Sequence, residues 1–468
     1  MKDREQQNKT IKKVILKTVL ITIVILIAIV FTDKKGFFNP DNRNNHTLKK
    51  WDSFYDFTKK NDVDILLIGN SHLYTGINPK NLSCALGVNA FILASPGTRV
   101  IDHYYSLEEA IKVSKPKLVI IETYGIKEHE VFQLKKGPLS DQFKSFSARR
   151  DFSLKLKSTP YLFSAKHYPY AWSNTLRNHD FIFNNYKQIS NNIQLSKKRK
   201  KKQQKLYLGR YVRFQTGVED SVLNLYNTKG SPVNGADFKT NNTTTIYTNK
   251  IIGLCRENNI KLIFLTLPMY NKHIENYSLW RNKLKLNLDE FGNMDHWLDL
   301  QIPENYSGFS RSSFENTYKT NQHMTYSGSL LATYKLVDFI NTRNFLANYS
   351  RKTTQKWRNV FYADEGFFEN NTPVKHDKNN RVLYKDKNIE ILLLQNSKYN
   401  TLLAKVNPIT SKKNQIELES ILKSNNTEYT QKLVLNLDIY HSTKSNLNYL
   451  LNINKQIENI EIIGIENL

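Results

Sequence analysis

Three short apolar runs constrain this chain most: "VDILLIG" (63–69), "VNAFILAS" (88–95) and "PKLVIIET" (116–123). Each is too short for a buried helix and closes on a polar residue or glycine. Near-continuous apolar character over so few residues is the mark of a strand covered on both faces, as in a parallel sheet. Between the second and third runs, "RVIDHYYSLEEAIKVSK" (99–115) places its apolar residues at helical spacing. Strand alternating with helix predicts a doubly wound α/β fold with a parallel sheet. After a break the pattern resumes. "IYTNKIIGLCRENN" (246–259) reads as a helix, "IKLIFLTLPMY" (260–270) as a strand, "WLDLQI" (297–302) as a last short strand, and "YSGSLLATYKLVDFINTR" (326–343) as a closing amphipathic helix.

The break, about 130–240, is rich in Lys and Asn and holds aromatic clusters such as "YPYAWSN"; it reads as a basic insertion. Beyond about 350, runs such as "QKLVLNLDIYHS" and "IENIEIIGIENL", separated by Asn, Ser and Lys turns, predict a small all-β accessory domain. "HTLKKWDSFYDFTKKN" reads as a short amphipathic helix inside a linker, 34–61. The α/β domain is then expected over 62–345 and the β-rich one over 350–468.

The N-terminus directs the choice of partners. "VILKTVLITIVILIAIVFT" (Val14 to Thr32) holds one charge in nineteen residues, enough to span a bilayer. No small-x-small cleavage site follows it, so residues 1–33 read as a cytoplasmic tail and an uncleaved signal anchor. Lys2, Arg4, Lys9, Lys12, Lys13 and Lys17 crowd its N-terminal flank, which puts that end in the cytoplasm and the bulk of the chain in a periplasm or outside the cell. The formal net charge of +26 favours acidic partners. On the far side of the membrane these are envelope glycans or related polymers rather than nucleic acid. The run "KKRKKKQQK" (Lys197 to Lys205) accordingly reads as a solvated loop, not as a nucleic-acid patch. With two cysteines, Cys84 and Cys255, both in helical segments, the chain is neither a disulfide scaffold nor a cysteine-built metal site. No metal or cofactor is expected.

Chemistry is sought at the carboxyl ends of the strands, where open parallel sheets bind their ligands. Ser71, in "LLIGNSHLYTG", stands at such an end. A helix beginning there would aim backbone N–H groups at an oxyanion forming beside the hydroxyl. An ordinary helix cap is the plainer reading. A serine nucleophile needs a base, and His323, in "NQHMTYSG" before the closing helix, is expected at the same edge of the sheet.

These residues carry a resemblance. "DILLIGNSHLYTGINP" resembles the first block of SGNH (GDSL-like) hydrolases in the variant where Gly-Asn-Ser-His replaces Gly-Asp-Ser. "ASPGTRV" resembles the second block, and "HMTYSG" the last, His-Leu-Asn-x-x-Gly. The resemblance covers about 62–343 without the insertion. It implies Ser71 as nucleophile, His323 as base, and the backbone N–H groups of Ser71 and Gly97 as oxyanion donors; Gly97 reads equally as a tight-turn glycine. A tethered, outward-facing SGNH domain is similar in layout to the D-alanyl-transfer protein of teichoic acids and to the alginate O-acetylation proteins. That layout implies an esterase or O-acyltransferase on an envelope polymer, served by a multi-span protein that carries the acyl donor across.

Two departures stand out. Where the last block has an aspartate three residues before the histidine, this chain has Thr320, which cannot stabilise an imidazolium. The third block, Gly-x-Asn-Asp, is replaced by "IIETYG". Its Glu122 is one candidate acid, unless it is merely exposed or salt-bridged, and Asp295 in "MDHW" is another. The alternative is a catalytically inactive SGNH-like binding or scaffold protein of the envelope. A flavodoxin-like nucleotide binder finds no Gly-rich phosphate loop after the first strand.

Overall fold

The structure is a computed structural model. It describes residues 2–35, 37–38, 46–127, 138–178, 209, 233–271, 274–288, 296–309, 313–314, 323–324 and 326–347, with eight strand segments between 360 and 467. The chain divides into two compact units, one of residues 1–49 with 130–205 and one of 50–129 with 206–468.

In the second unit, five strands form one parallel sheet: β1 (Ile65–Gly69), β2 (Ala90–Ala94), β3 (Leu118–Glu122), β5 (Lys261–Thr266) and β7 (Trp297–Asp299). Two residue pairs, β4 (Val233–Asn234) and β6 (Ile274–Glu275), make a separate small ladder. The order is β2-β1-β3-β5-β7, so the direction of winding reverses between β1 and β3. A crevice opens beyond the carboxyl ends at such a switch point. All residues of β1, β2 and β3 are buried, which is why these runs carry no alternation. On one face, Ile65, Leu67, Ala90, Ile92, Ile120 and Ile263 join a core that reaches into the flanking helices.

The strands appear where the apolar runs predict them, and the intervening helix is α5 (Val100–Val113). Polar anchors set the register at the amino edge: Asp64 Oδ2 accepts from the amide of Asn89 at 2.8 Å, and Asp64 O accepts from that of Lys117 at 2.8 Å. Helix α2 (His46–Thr58) differs from its expected place in a linker. Its Trp51 and Phe54 are buried, and Phe54 meets Phe91 of β2 edge-on at 5.3 Å between ring centroids. The folded unit therefore begins before residue 62. After β1 come two short helices, α3 (Ser71–Gly76) and α4 (Pro79–Leu86), so Gly76 closes a helix and Pro79 opens the next. Cys84 lies in α4; Cys255 is buried in the helix Asn242–Glu257, where desolvation pushes its thiol up to about 12.

In the first unit, α1 (Lys2–Lys35) contains the single helix among the described residues long and apolar enough to cross a membrane, over Thr10–Lys35. Within the insertion, residues 138–178 are mostly helical, and β4 falls near its end. The basic run 197–205 lies outside the described residues. Between 360 and 467 the strand backbones pair into two four-stranded sheets.

Candidate active site

The first turn after β1 is set by Asn70. Its side-chain oxygen accepts from the amide of His72 at 3.0 Å, an N-cap that starts α3 at Ser71. Ser71 is half-buried and its carbonyl accepts from Thr75 Oγ1 at 2.8 Å. Gly69, just before the cap, permits close approach: a Cβ there would stand 2.7 Å from Cβ of Glu122 and 3.0 Å from that of Leu73.

Block two folds over the same edge. The amide of Ser95 donates to Gly69 O at 3.1 Å, and Thr98 Oγ1 lies 2.9 Å from Ser95 O and 3.3 Å from Gly69 O. Gly97 sits in the turn at φ +64°, a left-handed conformation that favours glycine. The turn thus has its own need for Gly97.

His323 is buried, and an isolated antiparallel bridge from Met324 to Phe314 holds the segment behind it. Gly328, in the first turn of the helix Tyr326–Thr342, lets that helix approach Ser313; a Cβ would meet Ser313 O at 2.1 Å. The ring of His323 lies 6.4 Å from that of His72 and 6.3 Å from that of Tyr74, centroid to centroid. The helix opened by Ser71 and the turn carrying His323 are therefore brought together.

His72 is buried and stacked on Tyr124, with centroids 4.3 Å apart and planes 6° from parallel. Burial first, then the positive potential of His323 and Lys127, holds its imidazole well below the usual histidine range. It is neutral near pH 7, and its Nδ1 has no hydrogen-bond partner among the described residues.

Glu122 ends β3 beside Gly69. It is 1% exposed, so it is not the surface carboxylate that its sequence position allows. Its Oε1 accepts from the amide of Tyr124 at 2.8 Å, while Oε2 is buried with no hydrogen-bond partner among the described residues. Desolvation outweighs the backbone amides of Tyr124 and Gly125 and the nearby Lys127 and Arg99, and the carboxyl is raised to about 8. It therefore carries its proton at neutral pH.

Asp295 and Thr320 lie outside the described residues. His296, next to Asp295 in "MDHW", stands at the start of β7, and its Nδ1 is 2.8 Å from Leu262 O near the start of β5. That is the amino edge of the sheet, opposite Ser71.

Sequence reasoning missed the supports of the site. Lys50 of α2 is buried; its ammonium donates to Ala94 O at 2.8 Å and sits 3.4 Å from the ring centroid of Tyr74. Desolvation lowers it well below the usual lysine range. Nothing in the pattern around Lys50 separates it from a surface lysine. Tyr124 and His72 did carry a signal, since each stands within three residues of a strand end. Among the described residues no group of three or more His, Cys, Asp or Glu side chains is placed to hold a metal ion.

No protein-family model matches the chain, and no curated protein matches it. Among solved structures it is similar to a two-domain esterase active on acetylated mannans, co-crystallized with mannopentaose. That likeness has a TM-score of 0.28 and 8% identity, covering 89% of this chain and 89% of the other. It is also similar to a gut microbial diltiazem-metabolizing enzyme, with a TM-score of 0.20 and 10% identity, covering 79% of this chain and 60% of that one. TM-scores this low leave fold and function to the geometry itself.

Proposed function

We propose that the chain is a membrane-anchored, extracytoplasmic serine esterase or O-acyltransferase with an SGNH-type α/β domain, acting on a cell-envelope polysaccharide or related polymer. One observation carries this reading: Ser71 opens the helix whose His72 and Tyr74 rings lie 6.4 and 6.3 Å from the ring of His323. A hydroxyl and an imidazole at one carboxyl edge of a parallel sheet are the minimum for acyl transfer. The apolar helix Thr10–Lys35 supports the anchor.

In the proposed mechanism Ser71 Oγ attacks the acyl carbonyl as His323 takes its proton. The oxyanion is met by the backbone N–H groups of Ser71 and Gly97. His323 returns the proton to the departing alcohol, leaving an acyl-enzyme. Water or a sugar hydroxyl then resolves it, again with His323 as base. Asp295, the weaker acid candidate, lies outside the described residues. Glu122 lies at the proper edge but is protonated near pH 7, so the site works at neutral pH as a Ser–His dyad. No cofactor enters the mechanism. The C-terminal strands are proposed to form an accessory domain, and a multi-span partner to deliver the acyl group.

The test is the acyl content of envelope polymers from cells expressing the wild-type chain or Ser71→Ala. The proposal expects the two to differ: an esterase leaves more acyl groups when Ser71 is lost, an acyltransferase fewer. Equal content, with both chains present at equal level, would favour the inactive envelope protein that Thr320 in place of the usual aspartate suggests.

A further inference from the structure

Within the first unit, the helix Phe152–Leu162 buries Leu154, Ser158, Thr159 and Leu162 and turns its other face outward. Phe152 is 67% exposed, Leu156 60% and Tyr161 49%, and Trp172, the last residue of the short helix Tyr168–Trp172, is 37% exposed. Phe152 and Leu156, four positions apart, lie on one stripe of the helix beside Trp172. The Phe152 and Trp172 rings meet edge-on at 5.3 Å, and Trp172 Nε1 donates to Thr159 Oγ1 at 3.2 Å. Basic residues frame them: Lys155 Nζ is 5.7 Å from the Trp172 ring centroid, and Arg150, Lys157 and Lys166 are exposed.

The location of this patch identifies what covers it. The amide and hydroxyl of Thr175 donate to Asp33 Oδ1, both at 2.7 Å, and Asn178 Nδ2 donates to Phe38 O at 2.8 Å. The insertion is thus fastened to the C-terminal end of α1, none of whose membrane-length apolar stretch is buried. Trp172 is three positions from Thr175, so their Cα atoms are within roughly 11 Å. Whatever apolar medium covers α1 ends within reach of Trp172. Exposed Trp, Tyr and Phe framed by lysines at the mouth of an apolar helix match a lipid–water interface, where aromatic rings lie at headgroup depth and lysines meet anionic headgroups.

We propose that the Phe152–Trp172 segment lies in the outer membrane–water interface beside the exit of α1, as a second, peripheral contact with the bilayer. This rests on the anchor in the proposed function and not on the catalytic reading. The test uses the full chain in vesicles of phosphatidylglycerol and phosphatidylcholine whose acyl chains are brominated, with tryptophan emission compared against unbrominated lipid. Of the five tryptophans, Trp51, Trp280 and Trp297 are buried and Trp357 lies outside the described residues, so every chain compared carries Trp357→Phe; Trp172→Phe keeps an apolar ring. The expected result is strong quenching of the wild type that is largely lost in Trp172→Phe and reduced in Phe152→Asp/Leu156→Asp. Equal quenching of wild type and Trp172→Phe, in protein that alkaline carbonate fails to extract, would overturn the interfacial contact alone. Extraction by carbonate would overturn the anchor and this proposal with it.

Discussion

Glu122 is the residue whose environment departs furthest from its sequence. A carboxyl of ordinary value 4.5, raised to about 8 by burial, holds its proton in the folded chain where the unfolded chain has lost it. Between those values the native state binds more protons, so its contribution to stability is full below about 4.5 and is lost as pH rises through about 8. The expected outcome is a melting temperature that falls across this window in the wild type and falls less in Glu122→Gln; one group accounts for at most about 1.4 kcal/mol per pH unit. Parallel wild-type and variant curves would contradict the buried, protonated carboxyl. The placement of Ser71 just after β1 and of His323 just before the helix Tyr326–Thr342 was legible, because a hydroxyl after an apolar strand and an imidazole before a helix are local patterns. The burial of Glu122 was not, since it depends on Gly69 of a neighbouring strand leaving room for it. Lys50 was illegible for the same reason: its acceptor, Ala94 O, is 44 residues away.

At the scale of elements, two glycines separate helix propensity from packing. Gly253, inside the helix Asn242–Glu257, has nothing within 4 Å of an added Cβ. Gly253→Ala should raise stability by about 1 kcal/mol. Gly328 should behave oppositely despite the same propensity gain, because its Cβ would meet the Ser313 carbonyl at 2.1 Å. Gly328→Ala should lose roughly 1–3 kcal/mol and displace the turn that carries His323. Thermal melts of the two variants check the signs; stabilisation by both would contradict the close approach behind His323. The five central strands were legible because burial on both faces leaves an unbroken apolar run, as in Ile65 to Ile68. Helix α2 was recognised as a helix but not as part of the folded unit, since its own periodicity does not say that Phe54 meets Phe91.

For the whole molecule, the parallel order β2-β1-β3-β5-β7 sets the crevice between β1 and β3. Asn70, Ser71 and Glu122 stand at those two strand ends, and the last described helix of the α/β pattern brings His323 to the first turn of α3. Strand–helix alternation announced a parallel sheet but not this order, which depends on pairings such as Ile65 with both Ala90 and Leu118. The most direct measurement is labelling of the purified full chain by a fluorophosphonate probe, comparing wild type, Ser71→Ala and His323→Ala. The account predicts wild-type labelling that is abolished in Ser71→Ala and slowed by orders of magnitude in His323→Ala, because a serine without its base is a poor nucleophile. Labelling that survives Ser71→Ala, or a folded wild-type chain that takes no label, would contradict it.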